Sequence, residues 1–185
     1  MPSDVTSPAD WDKLMAAVGE VDVLVNNAGA GIKIAPLADY TDAEIDRSLA
    51  VNLAGVLYGC RRAAKIMTAR RSGLIINISS VCAHYGWPGF VAYTAAKAGL
   101  DMASRALYTE LRPFNVRVTV VTPSWGATHW SAAAGNNDAP NPELEAKKMS
   151  PDQMGDLIVG LVKSPDHLVF PEIMIQPMVQ EIIPF

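Results

Sequence analysis

The sequence predicts an α/β fold, a doubly wound parallel sheet with helices on both of its faces. Short β-branched runs typical of buried strands recur at 21–25, 74–78 and 116–121. Longer segments with the period of amphipathic helices separate these runs. Strands that alternate with helices in this way indicate a parallel sheet covered on both sides. The element order reads αβαβαβα, and a last strand is predicted near Val169 or over 173–175.

The first helix is predicted from its end signals. Ser7 is the expected N-cap, Pro8 occupies the first helical position, and Gly19 marks the end. Its apolar residues recur at helical spacing, so we expect them to face the core: Trp11, Leu14, Met15 and Val18.

A second, long helix is predicted over 41–70. Thr41 and Glu44 form a capping box at its start, and apolar residues continue at helical spacing to its end. The expected buried stripe comprises Ile45, Leu49, Leu53, Val56, Leu57, Cys60, Ala64 and Met67.

Two more helices follow. One is predicted from about Val91 to just before Pro113, and the other begins at a capping box formed by Ser150 and Gln153. The residues expected to face inward are Ala96, Leu100, Ala103, Leu107 and Leu111, then Met154, Leu157, Ile158 and Leu161. The intervening segment 124–149 is rich in Gly, Pro and Asn, which predicts a substrate loop or lid.

Composition excludes several classes of protein. The 185 residues are 50% hydrophobic and 18% charged, with a formal net charge of −4, which argues against disorder and against a nucleic-acid-binding surface. Two cysteines cannot build a disulfide framework, and no apolar run reaches the roughly 18 residues that a membrane span needs. With no signal peptide evident at Met1, we expect a reducing, cytoplasmic setting.

Small polar residues follow three of the predicted strands, at 26–29, 79–80 and 122–124. In an open parallel sheet, ligands bind outside the carboxyl ends of the strands. Ordinary turn chemistry accounts for any one of these clusters, whereas the three together indicate a binding site.

Tyr93 and Lys97 stand four residues apart at the start of the third long helix, so their side chains share one helical face. A tyrosine titrates near pH 10, and an adjacent ammonium lowers that pKa toward a range useful for proton transfer. Ser80, from a neighbouring strand end, offers a hydroxyl that could steady a carbonyl oxygen. A solvated helix face and a turn serine are the alternative interpretations.

The sequence resembles a classical short-chain dehydrogenase/reductase from about Asp4 to at least Thr128. The matching motifs keep the family's order and spacing: Asp4-Val5, Asn26-Asn27-Ala28-Gly29, Asn52, Ile78-Ser79-Ser80, Tyr93-x-x-x-Lys97 and Pro123 to Thr128. The resemblance implies a Rossmann-type domain, NAD or NADP as cofactor, and hydride transfer between an alcohol and a carbonyl compound.

The resemblance also implies a role for each catalytic residue. Tyr93 would be the general acid in reduction and the general base in oxidation, and Lys97 would lower its pKa and bind the nicotinamide ribose. Ser80 would orient the substrate oxygen. Asn52 would disturb the hydrogen bonding of its helix and hold a water molecule that links Lys97 to solvent.

A second set of residues would contact the cofactor, together with Tyr93 and Lys97. By resemblance, Asp4 meets the adenine amino group, Val5 packs beside that ring, and Thr128 bonds the carboxamide. Asn26 would also brace the central strands. The remaining members of this set are Ala28, Gly29 and Pro123.

Two departures from the family pattern stand out. Ser124 occupies a position where the family usually has glycine, which makes close backbone approach to the nicotinamide less assured. No Gly-x-Gly-x-x-Gly motif exists, so 1–185 is expected to be a single domain without its first βαβα segment, about 60 residues. Three explanations for the missing segment remain open. The sequence is a fragment or begins at a misplaced start, which we expect; it is a natural short form; or another chain completes the domain.

Aromatic and other residues near the expected site predict a pocket for a medium-sized hydrophobic or aromatic carbonyl compound. Alternatively, they pack the loop onto the domain. They are His84, Tyr85, Trp87, Phe90, Trp125, His129, Trp130 and Met149. We assign no metal, because neither His84 nor His129 has a carboxylate or cysteine partner at recognisable spacing.

The partners implied are a small-molecule substrate and a second copy of the chain. In this family, helices equivalent to 41–70 and 91–112 commonly pair into homodimers or homotetramers, and Arg61, Arg62, Tyr108 and Thr109 could face the partner. A second hypothesis of a different class remains: a cofactor-free binding or scaffold protein without catalytic activity.

Overall fold

The fold, seen in a computed structural model that describes residues 1–31, 33–128, 130 and 141–181, is built on a four-stranded sheet. The strands are parallel and lie in sequence order, β1 to β4. Their bounds are β1 Val23–Asn26, β2 Gly73–Ile78, β3 Val116–Pro123 and β4 Glu172–Ile175. The predicted parallel sheet is therefore confirmed, and its last strand takes the second of the two predicted positions.

Six α-helices connect and cover these strands within the described residues: α1 Pro8–Val18, α2 Asp42–Leu49, α3 Gly55–Arg70, α4 Val91–Leu111, α5 Pro142–Glu145 and α6 Pro151–Val162. The predicted caps form. Ser7 accepts a hydrogen bond from the Asp10 amide, and both capping boxes, at Thr41 and at Ser150, are closed. Gly19 ends α1 with a φ of 72°, a conformation that suits glycine.

The two faces of the sheet carry separate apolar cores. Ile75 of β2 and Val118 of β3 pack against α3 and α4 on one face. The neighbouring side chains Ile76 and Val121 point to the other face, where Leu161 of α6 covers them. Because successive strand residues alternate between faces, the continuous apolar strands of the sequence fill both layers, as a doubly wound sheet requires.

The predicted helix over 41–70 is not one regular helix. A π-helical turn, Ala50–Ala54, separates α2 from α3. Leu57, expected inside, is 39% exposed. The other predicted members at Val56, Cys60 and Met67 are buried, so most of the stripe is confirmed in α3. Ala63, which was not predicted, is buried with them.

The end of α1 also differs from the prediction. Val18 is 54% exposed, whereas Trp11 of the same stripe is buried. Val18 is the last residue of the helix, where the chain leaves toward Gly19. Trp11 is held inward by a 2.9 Å hydrogen bond from its indole nitrogen to the Val5 carbonyl.

Backbone contacts join the two ends of the segment 124–149. Gly126 and Met149 form a parallel bridge, and the Ala127 amide donates to the Met149 carbonyl over 2.8 Å. His129 and the other loop residues at 131–140 lie outside the described residues. Of the helices that are described, none has both the length and the hydropathy to cross a membrane.

Candidate active site

Lys97 crosses from α4 to the carboxyl end of β2. Its Nζ donates a 2.8 Å hydrogen bond to the Ile78 carbonyl, the last residue of that strand. The side chain is only 4% exposed. A buried ammonium without a carboxylate in direct contact is unfavourable, and burial lowers the pKa of Lys97 from 10.5 to about 8, while Asp101 opposes the shift.

Tyr93 lies one helical turn before Lys97, on the same face of α4. The Lys97 Nζ is 5.7 Å from the centroid of the Tyr93 ring. Tyr93 is buried, and its ring packs against Trp130 at a centroid distance of 5.4 Å. The spacing of four residues therefore places both groups at one point, as the sequence predicted.

Ser80 completes a three-residue constellation. It caps the short 3₁₀ turn Val81–Ala83, where its hydroxyl accepts a 3.2 Å hydrogen bond from the Cys82 amide. The Ser80 side chain also lies close enough to the Tyr93 phenol to lower its pKa. A strand end and a helix start thus bring Ser80, Tyr93 and Lys97 together at the carboxyl edge of the sheet.

Burial raises the pKa of Tyr93 above its ordinary value of 10. The Ser80 side chain lowers this pKa, but the loss of solvation is the larger effect. Lys97 is not among the groups that shift the pKa of Tyr93 in the described structure. That role of Lys97 stays a prediction.

Asn52 lies inside the π-helical turn and is fully buried. Its Nδ2 donates to the carbonyls of Ser48 and Ala30, at 3.1 and 3.2 Å, and its Oδ1 accepts from the Ala30 amide at 3.2 Å. The helix is thus disturbed at Asn52, as the resemblance implies. Asn52 fixes the loop that follows β1, and the expected bound water stays a prediction.

The loop after β1 passes close to Asn52. A Cβ placed on Gly29 would stand 3.3 Å from Asn52 Oδ1, so a larger residue would press on this contact. Asn26, at the end of β1, is buried and donates a 2.8 Å hydrogen bond to Asn77 Oδ1 on β2. Asn26 therefore links β1 to β2, and Ala28 lies in the loop between Asn26 and the Gly29–Asn52 contact.

Asn77 and Ser104 belong to this network, although neither was predicted as a site residue. Asn77 Nδ2 donates a 2.9 Å hydrogen bond to the Ser104 hydroxyl, which donates in turn to the Leu100 carbonyl. The available signal was a polar residue within the apolar run 74–78, because a buried amide needs partners.

The two residues expected to contact the adenine of the cofactor lie in a turn before α1. Asp4 is exposed, and its Oδ1 accepts hydrogen bonds from the amide and the hydroxyl of Thr6, both at 2.8 Å. These bonds lower the pKa of Asp4. Val5 is half-buried, and its carbonyl accepts from the indole of Trp11.

The residues expected near the nicotinamide carboxamide lie at the end of β3 and just beyond it. Pro123 is the last residue of that strand and pairs with Ile175. Thr128 is exposed, and its hydroxyl accepts a 3.3 Å hydrogen bond from the Trp130 amide. Between them, the buried Ser124 hydroxyl finds no hydrogen-bond partner among the residues that the structure describes.

Aromatic side chains surround Tyr93. Phe90 and Trp130 stack with centroids 6.2 Å apart, and Tyr40, Trp87 and Phe90 pack with Trp130 around Tyr93 and Cys82. We call this group the aromatic cluster. Among the predicted pocket residues, Trp87, Phe90 and Trp130 belong to it, whereas Trp125 is largely exposed. Tyr40 was not predicted.

His84 takes a different position from the one expected. Instead of joining the aromatic cluster, its Nε2 lies 2.7 Å from Glu172 Oε1 and 3.2 Å from Asp101 Oδ2. The sequence spacing offered no carboxylate partner, but the fold brings two from α4 and β4.

Arg62, expected to face a partner subunit, is buried, with its Nε 2.7 Å from Asp12 of α1.

Comparison with known proteins places this arrangement in a family. Residues 1–139 match the family model described as short chain dehydrogenase. Cyclopentanol dehydrogenase of Comamonas sp. (strain NCIMB 9872) is 36% identical over 129 residues, which cover 68% of this chain and 51% of that protein. Carbonyl reductase [NADPH] 2 of Sus scrofa is 35% identical over 142 residues, 75% of this chain and 56% of the reductase.

A solved structure extends the likeness to the whole fold. The closed form of a serine dehydrogenase complexed with NADP⁺ superposes with a TM-score of 0.90 at 25% identity, over 99% of this chain and 77% of that one. The chain spans about half the length of the two curated relatives named above. With three quarters of its residues matching the family model, the chain belongs to the short-chain dehydrogenase family.

Proposed function

We propose that the protein is an NAD(P)-dependent oxidoreductase that interconverts an alcohol and a carbonyl compound, with Tyr93 as the acid and base. The observation that carries this proposal is the convergence of Ser80, Tyr93 and Lys97 at the carboxyl edge of a parallel sheet. Ligands of open α/β sheets bind at this edge. The relatives named above are dehydrogenases and a reductase, which supports the same chemistry.

The described residues fit the nicotinamide half of NAD or NADP. Lys97 carries three N–H donors and uses one on Ile78, so donors remain for ribose hydroxyls. The Ser124 hydroxyl beyond β3, which has no hydrogen-bond partner within the described part of the chain, offers a further polar group. When bound, the cofactor supplies or accepts the hydride. The residues that would hold it are Asp4, Val5, Asn26, Ala28, Gly29, Tyr93, Lys97, Pro123 and Thr128.

Proton transfer falls to the tyrosine. In reduction, a neutral Tyr93 phenol donates its proton to the developing alkoxide, and the raised pKa of the buried phenol keeps it protonated for that step. In oxidation, Tyr93 must first lose its proton. The adjacent Lys97 ammonium would then stabilise the phenolate, because opposite charges attract strongly at a buried site.

Two further residues would position the reaction. The Ser80 hydroxyl lies near the Tyr93 phenol, so a carbonyl oxygen between them would accept hydrogen bonds from both. Asn52 anchors the loop after β1 through both the amide and the carbonyl of Ala30. That anchoring would hold the Ala28–Gly29 backbone against the cofactor.

The substrate we propose is a medium-sized hydrophobic or aromatic carbonyl compound, or the matching alcohol. The aromatic cluster surrounds Tyr93 with flat apolar surface, and Trp130 contributes a ring directly beside the phenol. Apolar walls with few polar groups bind such molecules and orient them through those groups.

Replacing Tyr93 with phenylalanine tests the mechanism. We expect Tyr93→Phe to lower kcat by about 10²–10⁴-fold, because general acid–base catalysis contributes that much, while NADPH binding persists. Turnover is measured with NAD⁺ and NADP⁺ against cyclopentanol and with NADH and NADPH against a panel of aromatic ketones, and cofactor binding by fluorescence titration. Tyr108→Phe, a half-buried tyrosine on the same helix, is the matched control and should retain activity within about twofold.

Two outcomes would contradict the proposal. Full turnover by Tyr93→Phe would exclude the assigned acid and base. Failure of the wild-type chain to bind either cofactor would favour the alternative, a cofactor-free binding or scaffold protein.

We also propose that the protein forms a homodimer or homotetramer through α2–α3 and α4. Leu57 of α3 and Met102 of α4 are exposed apolar side chains, 39% and 62% accessible, on these helices. Of the residues expected at the interface, Arg61 and Thr109 are exposed, whereas Arg62 is engaged with α1. Light scattering of wild type and Met102→Glu tests the surface, and a purely monomeric wild type would exclude it.

A further inference from the structure

A cluster of ionisable side chains lies beside the proposed active site and takes no part in the proposed mechanism. His84 follows the 3₁₀ turn that Ser80 caps, Asp101 lies one turn of α4 beyond Lys97, and Glu172 begins β4. Three separate elements therefore meet at one point. We call His84, Asp101 and Glu172 the three-residue cluster.

The donor atoms of this cluster are close together. His84 Nε2 is 2.7 Å from Glu172 Oε1 and 3.2 Å from Asp101 Oδ2, and each of the three residues offers a ligand atom within 4.8 Å of the others. Asp101 is the most buried, with 8% of its side chain exposed. Its Oδ2 is buried and lacks a hydrogen-bond partner among the described residues, although it faces the cluster.

Neighbouring groups hold the two carboxylates in place. The Ser79 hydroxyl donates a hydrogen bond to Asp101 Oδ1, which leaves Oδ2 free to face His84. Arg105 Nη2 donates to Glu172 Oε2 at 2.9 Å, which leaves Oε1 toward His84. Outer hydrogen bonds of this kind orient metal-ligating carboxylates in known sites.

Two carboxylates meet in this cluster. The Arg105 guanidinium pairs with Glu172, and the Lys97 ammonium attracts Asp101 from one turn away on α4. One imidazole nitrogen and two carboxylate oxygens suit a first-row divalent ion such as Zn²⁺, whereas Ca²⁺ and Mg²⁺ prefer oxygen ligands throughout. His84 and Glu172 are 27% and 29% exposed, so solvent can supply a fourth ligand.

We propose that His84, Asp101 and Glu172 bind a divalent first-row metal ion, with Zn²⁺ as the expected ion. A tetrahedral Zn²⁺ site separates its ligand atoms by roughly 3.4 Å, given metal–ligand distances near 2.1 Å. The two separations that involve His84 lie within about 0.7 Å of that value. The ion would tie the loop after β2, α4 and β4 together, a structural role that needs no step of the proposed reaction.

Cobalt provides a direct test, because Co²⁺ occupies zinc sites and its visible absorption reports the ligand set. Metal-free protein, residues 1–185, is titrated with CoCl₂, and ZnCl₂ is then added to displace the ion. We expect a saturable 1:1 absorption change that Zn²⁺ abolishes, together with a higher melting temperature in the presence of Zn²⁺.

Variants locate the ion. His84→Gln and Glu172→Gln should each weaken Co²⁺ binding by about tenfold or more, since even outer-sphere changes have effects of this size. Both side chains are partly exposed, so both variants should fold, which circular dichroism checks. The matched control is His167→Gln, an exposed histidine that does not belong to the cluster, and it should bind as wild type does.

Two results would overturn the proposal. One is the absence of any saturable Co²⁺ signal or Zn²⁺ stabilisation in the wild type, which would leave His84 as an ordinary partner of two carboxylates. The other is equal binding by His84→Gln and wild type, which would place the metal elsewhere. Neither result depends on turnover, so the proposed oxidoreductase function stands or falls separately.

Discussion

Ionisable groups on successive turns of α4 differ in the partners that offset their burial. The first turn holds Tyr93 and Lys97, both buried, with the pKa of Tyr93 raised and the pKa of Lys97 lowered by loss of solvation. The next turns hold Asp101 and Arg105, whose charges meet partners on other elements. Burial also raises the pKa of Asp101, but Ser79 and His84 offset part of that effect.

This difference in environment along α4 distinguishes groups suited to proton transfer from groups that stabilise the fold. Perturbed pKa values cluster at functional sites because burial destabilises one protonation state and so facilitates proton transfer. Charges that meet a partner on another element hold those elements together. Along α4 we therefore expect the largest functional effects at the first turn and progressively smaller, mainly structural effects beyond it.

Lys97→Met should have the largest effect, and its effects on activity and stability should have opposite signs. Turnover should fall by about 10²–10⁴-fold, because the phenolate of Tyr93 loses its stabilising cation. Stability near pH 7 should rise, because the wild type must hold an ammonium that burial disfavours. Urea unfolding and turnover are measured on both proteins.

The pH dependence of this stability difference has a definite sign. The pKa of Lys97 is about 8 in the folded chain and 10.5 in the unfolded reference, so the unfolded state binds more protons between these values. Wild-type stability should therefore rise relative to Lys97→Met between about pH 8 and pH 10.5, by up to about 3 kcal/mol. Lys65→Met, at an exposed position of α3, is the control, and a difference independent of pH would contradict the assignment.

Ser79→Ala should have a smaller effect, confined to stability. Ser79 donates to the buried Asp101 carboxylate, and a hydrogen bond to a charged group contributes about 1.5–3 kcal/mol. We expect the free energy of unfolding in urea, measured with EDTA present, to fall by that amount. Ser72→Ala, an exposed serine before β2, should change it by less than about 0.5 kcal/mol. An equal effect of the two variants would show that Asp101 does not depend on Ser79.

Much of this molecule could be predicted from local pattern. The caps at Ser7, Thr41 and Ser150 and the three apolar strand runs depend on neighbouring residues, so they can be identified in the sequence. The pairing of Tyr93 with Lys97 follows from helical spacing alone. The π-helical turn at Ala50–Ala54 was less visible, because one inserted residue leaves the apolar composition unchanged.

The three-residue cluster could not be predicted in this way. His84, Asp101 and Glu172 are widely separated in the sequence, and only the packing of α4 against the sheet and the pairing of β4 with β3 bring them together. Asn77 and Ser104 are joined by the same kind of long-range contact. Spacing rules detect sites built within one element, whereas these depend on tertiary structure.

Arg105→Gln should have the smallest effect of the series, because Arg105 lies farthest along α4 from the Tyr93–Lys97 turn. Arg105 is 51% exposed and pairs with a partly exposed Glu172, and exposed ion pairs typically contribute 0.2–1 kcal/mol. We expect the free energy of unfolding at low salt to fall within that range, and the loss to shrink at about 1 M salt, where charges are screened over a few ångströms. The double variant with Glu172→Gln isolates the pair energy, and the exposed Arg112→Gln is the control. A coupling above about 2 kcal/mol that persists in high salt would mean that this end of α4 is as electrostatically constrained as the Tyr93–Lys97 turn.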